Sequence, residues 1–250
     1  MSTGSDERLN SNLLATLRDD DFALIEPCLT KERRETGDLL YRPGDDVAQV
    51  YFPLGPSLVS YRVTNPDGRD VETILVGREG AVGGIVSSGY LPAYCLITVK
   101  FGGPFLKAPV SGVQAAKEKS ASMRRLFSRY ADCLMAQMFQ ASACNAVHSI
   151  EQRTAKWILA AMDRTGNHEV PLTHEELASM MGVGRSYATR VLQKFRTEGI
   201  LSTARGALIV NDRKALLRCS CTCHESVRAH FQLVLDGVYP ENEAEDSVVS

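Results

Sequence analysis

Thr173-His174-Glu175-Glu176-Leu177-Ala178-Ser179-Met180-Met181-Gly182-Val183-Gly184-Arg185-Ser186-Tyr187-Ala188-Thr189-Arg190 is the stretch on which the fold turns. Thr173 followed three residues later by Glu176 has the spacing of a capping box at a helix N-terminus. Leu177, Ala178 and Met181 are the inward side of that helix. Gly182-Val183-Gly184 breaks it with a tight turn that small residues permit. A second helix is expected over about Arg185 to Glu198. Its apolar face is Ala188, Val191, Leu192 and Phe195, and its opposite face shows Arg185, Ser186, Thr189, Arg190 and Lys194. Gly199 ends it. Leu201–Thr203 and Leu208–Val210 then flank Arg205-Gly206 as a hairpin. Helix, glycine turn, helix and hairpin together predict a winged helix-turn-helix. A helix with one basic face and an exposed N-terminus suits the DNA major groove. Amides and Arg side chains hold phosphates there, and longer side chains reach base edges. Candidate DNA-contacting residues are Arg185, Ser186, Tyr187, Thr189, Arg190 and Lys194, with Thr173 and Arg205 beside them. The bland alternative is a helical hairpin used for protein contacts.

The charge pattern points the same way. The whole chain of 250 residues carries a net −2, which advertises no partner. Residues 173–214 alone carry net +3, while residues 1–172 carry −1 and residues 215–250 carry −4. A local basic segment is a footprint for a polyanion, masked here by an acidic tail.

Upstream of this module lies a helix over about Ser149 to Arg164, closed by Thr165-Gly166-Asn167. Before it, Ala121 to Asn145 contains neither Gly nor Pro. Phe127, Ala131, Leu134, Met138, Ala141 and Asn145 recur there at a/d spacing, which predicts a coiled-coil seam and a homodimer. The alternative is one amphipathic helix packed on its own domain. Further upstream, Arg33 to Pro109 reads as β. Leu39–Tyr41, Val47–Phe52, Leu58–Val63 and Val71–Val76 are divided by Pro43-Gly44-Asp45, Leu54-Gly55-Pro56 and Asn65-Pro66-Asp67-Gly68. Val99 to Val110 adds more strand around Gly102-Gly103-Pro104. Short strands at regular spacing predict an antiparallel sandwich or barrel. Ser11–Leu17 and Asp21–Cys28 are two short helices in front.

Taken together, these segments resemble the Crp/Fnr family of bacterial transcription regulators, over about Leu13 to Leu216. The carrying residues are Gly37-Asp38-Leu39-Leu40-Tyr41-Arg42-Pro43-Gly44-Asp45, Val50-Tyr51-Phe52-Pro53 and Gly77-Arg78-Glu79-Gly80-Ala81-Val82-Gly83. Leu172-Thr173, Glu176-Leu177-Ala178, Gly182-Val183, Arg185, Arg190 and Glu198-Gly199-Ile200-Leu201 complete them. The resemblance implies an α+β fold: a jelly-roll-like antiparallel β-roll sensor domain, a long dimerisation helix and a C-terminal winged helix-turn-helix. The expected division is 1–28 helical arm, 29–119 β-roll, 120–148 dimerisation helix, 149–218 DNA-binding domain and 219–250 Cys-containing segment with acidic tail. It implies a cytoplasmic homodimer on double-stranded DNA at a pseudo-palindrome, with RNA polymerase as a further partner.

The sequence departs from the family at two places. Members that bind cyclic nucleotides carry a Gly-Glu pair and a later Arg. Here Gly83 is followed by Gly84, and the later stretch is Gly89-Tyr90-Leu91-Pro92-Ala93-Tyr94. An anion without its cation loses about 3–5 kcal/mol to desolvation. Control by cAMP is therefore not expected. Arg78, Gly83, Gly84 and Tyr94, with Lys100 as a substitute cation, are the only effector-site candidates. In the recognition helix, Arg185-Ser186-Tyr187 stands where Arg-Glu is common, so a different DNA site is expected.

Seven cysteines lack disulfide-framework spacing before residue 200 and read as reduced thiols. Cys219, Cys221, Cys223 and His224 could ligate a metal, but their spacing is tighter than structural zinc pairs prefer. The reading is no metal and no cofactor, and the alternative is a ligand-, redox- or metal-responsive regulator with a non-nucleotide effector in the β-roll or at the Cys219/Cys221/Cys223 cluster. Cys133 and Cys144 read as core fillers. Cys28 stands alone near the N-terminus, and Cys95 is the only thiol candidate for haem in the β region. No G-x-S-x-G, Walker or H-E-x-x-H motif argues for an enzyme. No apolar run approaches a membrane span, and the polar start, Met1 to Asn12, is unlike a secretory signal.

Overall fold

The computed structural model describes residues 7–239 apart from positions 65, 67, 69, 88 and 205. Arg205, the predicted wing residue, and the acidic end of the tail lie outside the described residues. Two four-stranded antiparallel sheets form the N-terminal half. One has the order β1 (Thr30–Arg34), β8 (Gly103–Pro109), β3 (Gln49–Pro53), β6 (Val82–Gly83). The other has the order β2 (Leu39–Tyr41), β7 (Leu96–Phe101), β4 (Leu58–Thr64), β5 (Asp70–Val76). Side chains alternate across a strand, and β3 and β8 use both faces. Tyr51 and Phe105 point between the sheets, where they meet Tyr41, Val59, Ile74, Val82, Ile97 and Val99. Val50, Phe52, Leu106 and Ala108 point outward to a helical layer.

That layer contains α1 (Asn12–Ala15), α2 (Asp19–Ile25), α3 (Val110–Lys119) and the long α4 (Ala121–Val147). Ser120 separates α3 from α4. It accepts from the Met123 amide at 3.0 Å and donates to Asp21 Oδ1 at 2.5 Å, so one hydroxyl caps α4 and ties it to α2. Met123, Phe127, Tyr130 and Cys133 form the buried face of α4.

The C-terminal half begins with α5 (Ile150–Thr165), opened by a Ser149–Gln152 capping box and closed by Gly166 in the left-handed region, φ 69°. Strand β9 (Glu169–Val170) joins β10 (Leu201–Ala204) and β11 (Ala207–Val210) in the order β10-β11-β9. Between them run α6 (His174–Met181) and α7 (Arg185–Thr197). Two further helices follow the hairpin: α8 (Arg213–Cys219), capped by Asp212, and α9 (Cys223–Val234). The segment beyond residue 218 is thus not only a tail. Phe231, Leu235, Val238 and Tyr239 enter the same core as α1 and α4, and Asn12 Nδ2 donates to the Val238 carbonyl at 2.7 Å.

The motif Gly77-Arg78-Glu79-Gly80 is where the halves meet. Glu79 pairs with Arg164 Nε at 3.0 Å, both side chains under 5% exposed. Arg164 also donates to the Leu75 carbonyl (3.2 Å) and to Gln137 Oε1 (3.0 Å), so one guanidinium links β5, α4 and α5. A Cβ at Gly80 would lie 2.2 Å from the Tyr130 hydroxyl, which itself donates to the Ala81 carbonyl and accepts from its amide, both at 3.0 Å. Only glycine lets α4 approach this closely.

Candidate nucleic-acid interface

Thr173 accepts from the Glu176 amide at 3.2 Å, while Glu176 Oε2 accepts from the Thr173 amide at 2.9 Å. The capping box is present as read, and it occupies the Thr173 hydroxyl. Burial works to raise the Glu176 carboxyl. The Thr173 amide and the ammonium of Lys100 outweigh it and hold the group below the ordinary range. The Lys100 contact is 3.0 Å and runs from β7 to α6, so the β-roll touches the cap of α6.

Gly182 takes φ 68° and turns the chain out of α6. Gly184, the N-cap of α7, has no side chain to cover the first amides of that helix. Ala188, Val191, Leu192 and Phe195 are buried against Leu177, Ala178 and Met181. The other side of α7 is open. Arg185, Ser186, Tyr187, Arg190 and Lys194 are exposed, and Thr189 is half-buried beside His174, 3.1 Å from its Nδ1. The Arg190 guanidinium lies over the Tyr187 ring at 5.2 Å. Arg185 reaches Glu175 at 3.6 Å with both side chains exposed, a pair that solvent screens. Lys194 reaches Glu151 of α5 at 2.5 Å.

Other candidate sites fare differently. Phe127 is fully buried in its own chain, so it has no surface for a partner and does not belong to a dimer seam. Leu134 packs on the β-roll, and Ala141 and Asn145 line the cleft toward α5. The exposed apolar side of α4 is rotated by about one residue: Met135, Met138, Phe139 (70% exposed) and Val147, with the small residues Ser142, Ala143 and Ala146 between them. Met138 belongs to both sets, so the predicted seam is divided between the buried and the exposed side of the helix. Arg78 extends to the end of α5, near Gly166 and the Asp163 carbonyl. Gly83 lies against β3, where a Cβ would be 2.2 Å from the Gln49 carbonyl, and a Cβ at Gly84 would meet Val110. Tyr94 is largely exposed, and Lys100 is engaged by Glu176. These residues therefore do not converge on a ligand.

The C-terminal cysteines also separate. His224 turns to Asp163 (3.0 Å), and Cys219 packs by the apolar core of the C-terminal half, whereas Cys221 and Cys223 turn toward Cys144. Cys133 is a core filler, its thiol pushed up to about 11 by burial and the nearby Asp132. Cys144 is not. It leaves the main core for a cluster with Cys221 and Cys223.

Comparison with known proteins agrees with this geometry. The family model of the Crp-like helix-turn-helix domain matches residues 152–219. Among solved structures, FixK2 from Bradyrhizobium japonicum is similar with a TM-score of 0.65 at 16% identity, over 77% of this chain and 98% of that one. A transcriptional regulator of the crp/fnr family from Eubacterium rectale gives 0.57 at 20% identity, over 83% and 96%. The c-di-GMP responsive global regulator CLP of Xanthomonas campestris gives 0.60 at 16%, over 78% and 100%. No curated protein matches the chain. Residues 152–219 thus carry a Crp-like helix-turn-helix domain, and the chain as a whole has the fold of these Crp/Fnr-family structures. Among the described residues no helix is long and apolar enough to cross a membrane.

Proposed function

We propose that the chain regulates transcription as a homodimer that places two copies of α7 in successive major grooves of a pseudo-palindromic site. The observation that carries this reading is the two-sided character of α7. One face is wholly buried, and the other offers Arg185, Ser186, Tyr187, Arg190 and Lys194 beside an N-terminus with no side-chain cap. Arg190 is the base-reading candidate and Lys194 the phosphate contact, released from Glu151 when DNA arrives. Dimerisation is assigned to Met135, Met138, Phe139, Ala143 and Val147, an apolar stripe that water otherwise covers. The two-fold would set the recognition helices about 34 Å apart.

Cyclic nucleotide is not the effector in this reading. The interior of the β-roll is filled by Tyr41, Tyr51, Val59, Val82, Ile97 and Phe105, with Tyr61 and Leu91 packed against them. A ligand shifts a dimer between states only by its differential affinity for them. Selection of bound genomic fragments by the purified chain, with and without cAMP or cGMP, tests the whole reading. Enrichment of one inverted repeat, unchanged by nucleotide, is expected. No enrichment, or enrichment only with nucleotide, would overturn it.

A further inference from the structure

Two helix ends that are far apart in sequence bring four metal-ligating side chains together. Cys144 lies on the last turn of α4, and His148, four residues on, is its C-cap. Cys221 lies in the turn between α8 and α9, and Cys223 is the first residue of α9. Cys144 Sγ is 3.6 Å from Cys221 Sγ, and Cys223 Sγ is 3.5 Å from His148 Nδ1. All four ligand atoms lie within 4.8 Å of one another. We propose that Cys144, His148, Cys221 and Cys223 bind one zinc ion in a tetrahedral Cys3His site.

Distance favours a single ion. Zinc–sulfur bonds of about 2.3 Å place the corners of a tetrahedron about 3.8 Å apart. The Cys144–Cys221 and Cys223–His148 separations are of that size, and all four atoms stay within 4.8 Å. An iron–sulfur cubane sets its four outer ligands further apart than these atoms lie. Ligand chemistry favours zinc: three thiolates and one imidazole are a structural-zinc set, and four protein ligands leave no open position for catalysis. The thiols of Cys144, Cys221 and Cys223 are buried, forming a core of their own apart from the three larger ones. Gln140 Nε2 donates to Cys223 Sγ at 2.9 Å, the outer-shell bond that steadies a ligating thiolate. Binding would release three thiol protons to solvent and leave the site at net −1, with neutral His148 ligating through Nδ1. Arg153 and Lys156 line the cleft that borders Cys223 and supply nearby positive charge. The matched DNA-binding domain ends at residue 219, so both C-terminal ligands lie outside it.

The site would have a mechanical consequence. His148 is the C-cap of α4, and Ser149 opens α5, so the ion would sit at the joint between the long helix and the DNA-binding half. It would clamp α9 to that joint.

The test uses the untagged full chain, purified with reduced thiols. Elemental analysis should find one zinc per chain. Cys144→Ser, Cys221→Ser and Cys223→Ser should each lose it, and Cys219→Ser should keep it. Cobalt replacement of the wild-type ion guards against misfolded variants. It should give tetrahedral d–d bands and thiolate-to-cobalt charge transfer. His148→Cys should retain the ion and strengthen the charge-transfer band in proportion to a fourth thiolate. The proposal is overturned if the reduced wild-type chain takes up neither zinc nor cobalt. An octahedral cobalt spectrum, metal retained by Cys221→Ser, or iron with acid-labile sulfide would overturn it equally.

Discussion

Arg190 and Lys194 stand four residues apart on the same helix, yet different roles follow from their surroundings. Arg190 lies over Tyr187 near the exposed start of α7, and a bidentate guanine contact there is worth about 1–3 kcal/mol of discrimination. Arg190→Ala is expected to weaken the selected site by that amount and relax one base position, read by binding to single-base variants of the site. Lys194→Ala is expected to weaken all sequences alike and to lower the salt-dependence slope by about one. An Arg190→Ala protein with unchanged base preference would sink the assignment. Asp163 illustrates a different balance. It is buried beside Arg213 (3.1 Å) and His224 (3.0 Å). Burial acts to raise its pKa, but His224 and Arg213 hold it at about 2, below the ordinary 3.8. A carboxyl lowered on folding contributes stability above its unfolded pKa and loses it as pH falls through the folded value. The gap is worth about 2 kcal/mol. Denaturant titrations from about pH 4 down to about pH 2 should therefore show a steeper loss of stability in wild type than in Asp163→Asn. Equal slopes would remove Asp163 from the account.

At the scale of the element, α4 carries two duties on different faces. Its inner face holds Met123, Phe127, Tyr130 and Cys133 against the β-roll and the N-terminal helices. Its outer face leaves Phe139 and Met135 in water. Phe127→Ala is expected to cost about 3–5 kcal/mol of stability, as a buried aromatic does. Phe139→Glu is expected to leave the fold intact and to give a monomer in sedimentation, with specific DNA binding lost. A dimeric Phe139→Glu protein would place the partner contact elsewhere. The hydrophobic period of α4 was legible in the sequence, but its rotation was not. Phe127 and Leu134 turn inward with Tyr130 and Cys133, while Met138 of the same predicted seam is exposed beside Met135 and Phe139, and the docking of Tyr130 on Ala81, admitted by Gly80, fixes that rotation.

Across the whole molecule, the β-roll and the helix-turn-helix half meet through polar contacts and through Leu58, Leu75 and Phe101, which enter the apolar core of the C-terminal half. Glu79–Arg164 is buried, Lys100–Glu176 partly so, and Trp157 stands at the same junction, with its ring edge-on to Phe101 at 6.5 Å. Removing one partner of a buried pair leaves an uncompensated charge, at about 3–5 kcal/mol. Arg164→Met should therefore destabilise the protein by that order. Because Trp157 is the only tryptophan, its fluorescence reports the junction selectively. Wild-type unfolding followed by fluorescence and by far-UV dichroism should coincide. In Arg164→Met the fluorescence transition should come first, and coincident transitions in the variant would argue against a coupling role.

Local rules determined much of this protein. The Thr173–Glu176 box, the Gly182 turn and the alternate faces of α7 depend on residues within a few positions of one another, and they are as read. The same holds for most strands between their Gly and Pro turns. Strand Thr30–Arg34 was not legible, because it is an exposed, charged edge whose order comes from pairing with β8. Only the tertiary structure decided which stripe of α4 faces water, because a period does not encode a rotation. It alone brought Cys221 and Cys223 to Cys144 and His148, 77 residues apart for the Cys144–Cys221 pair. Spacing within one segment describes the ligands that segment can offer. Which distant segment completes the set depends on how α9 packs on α4, and no local pattern carries that.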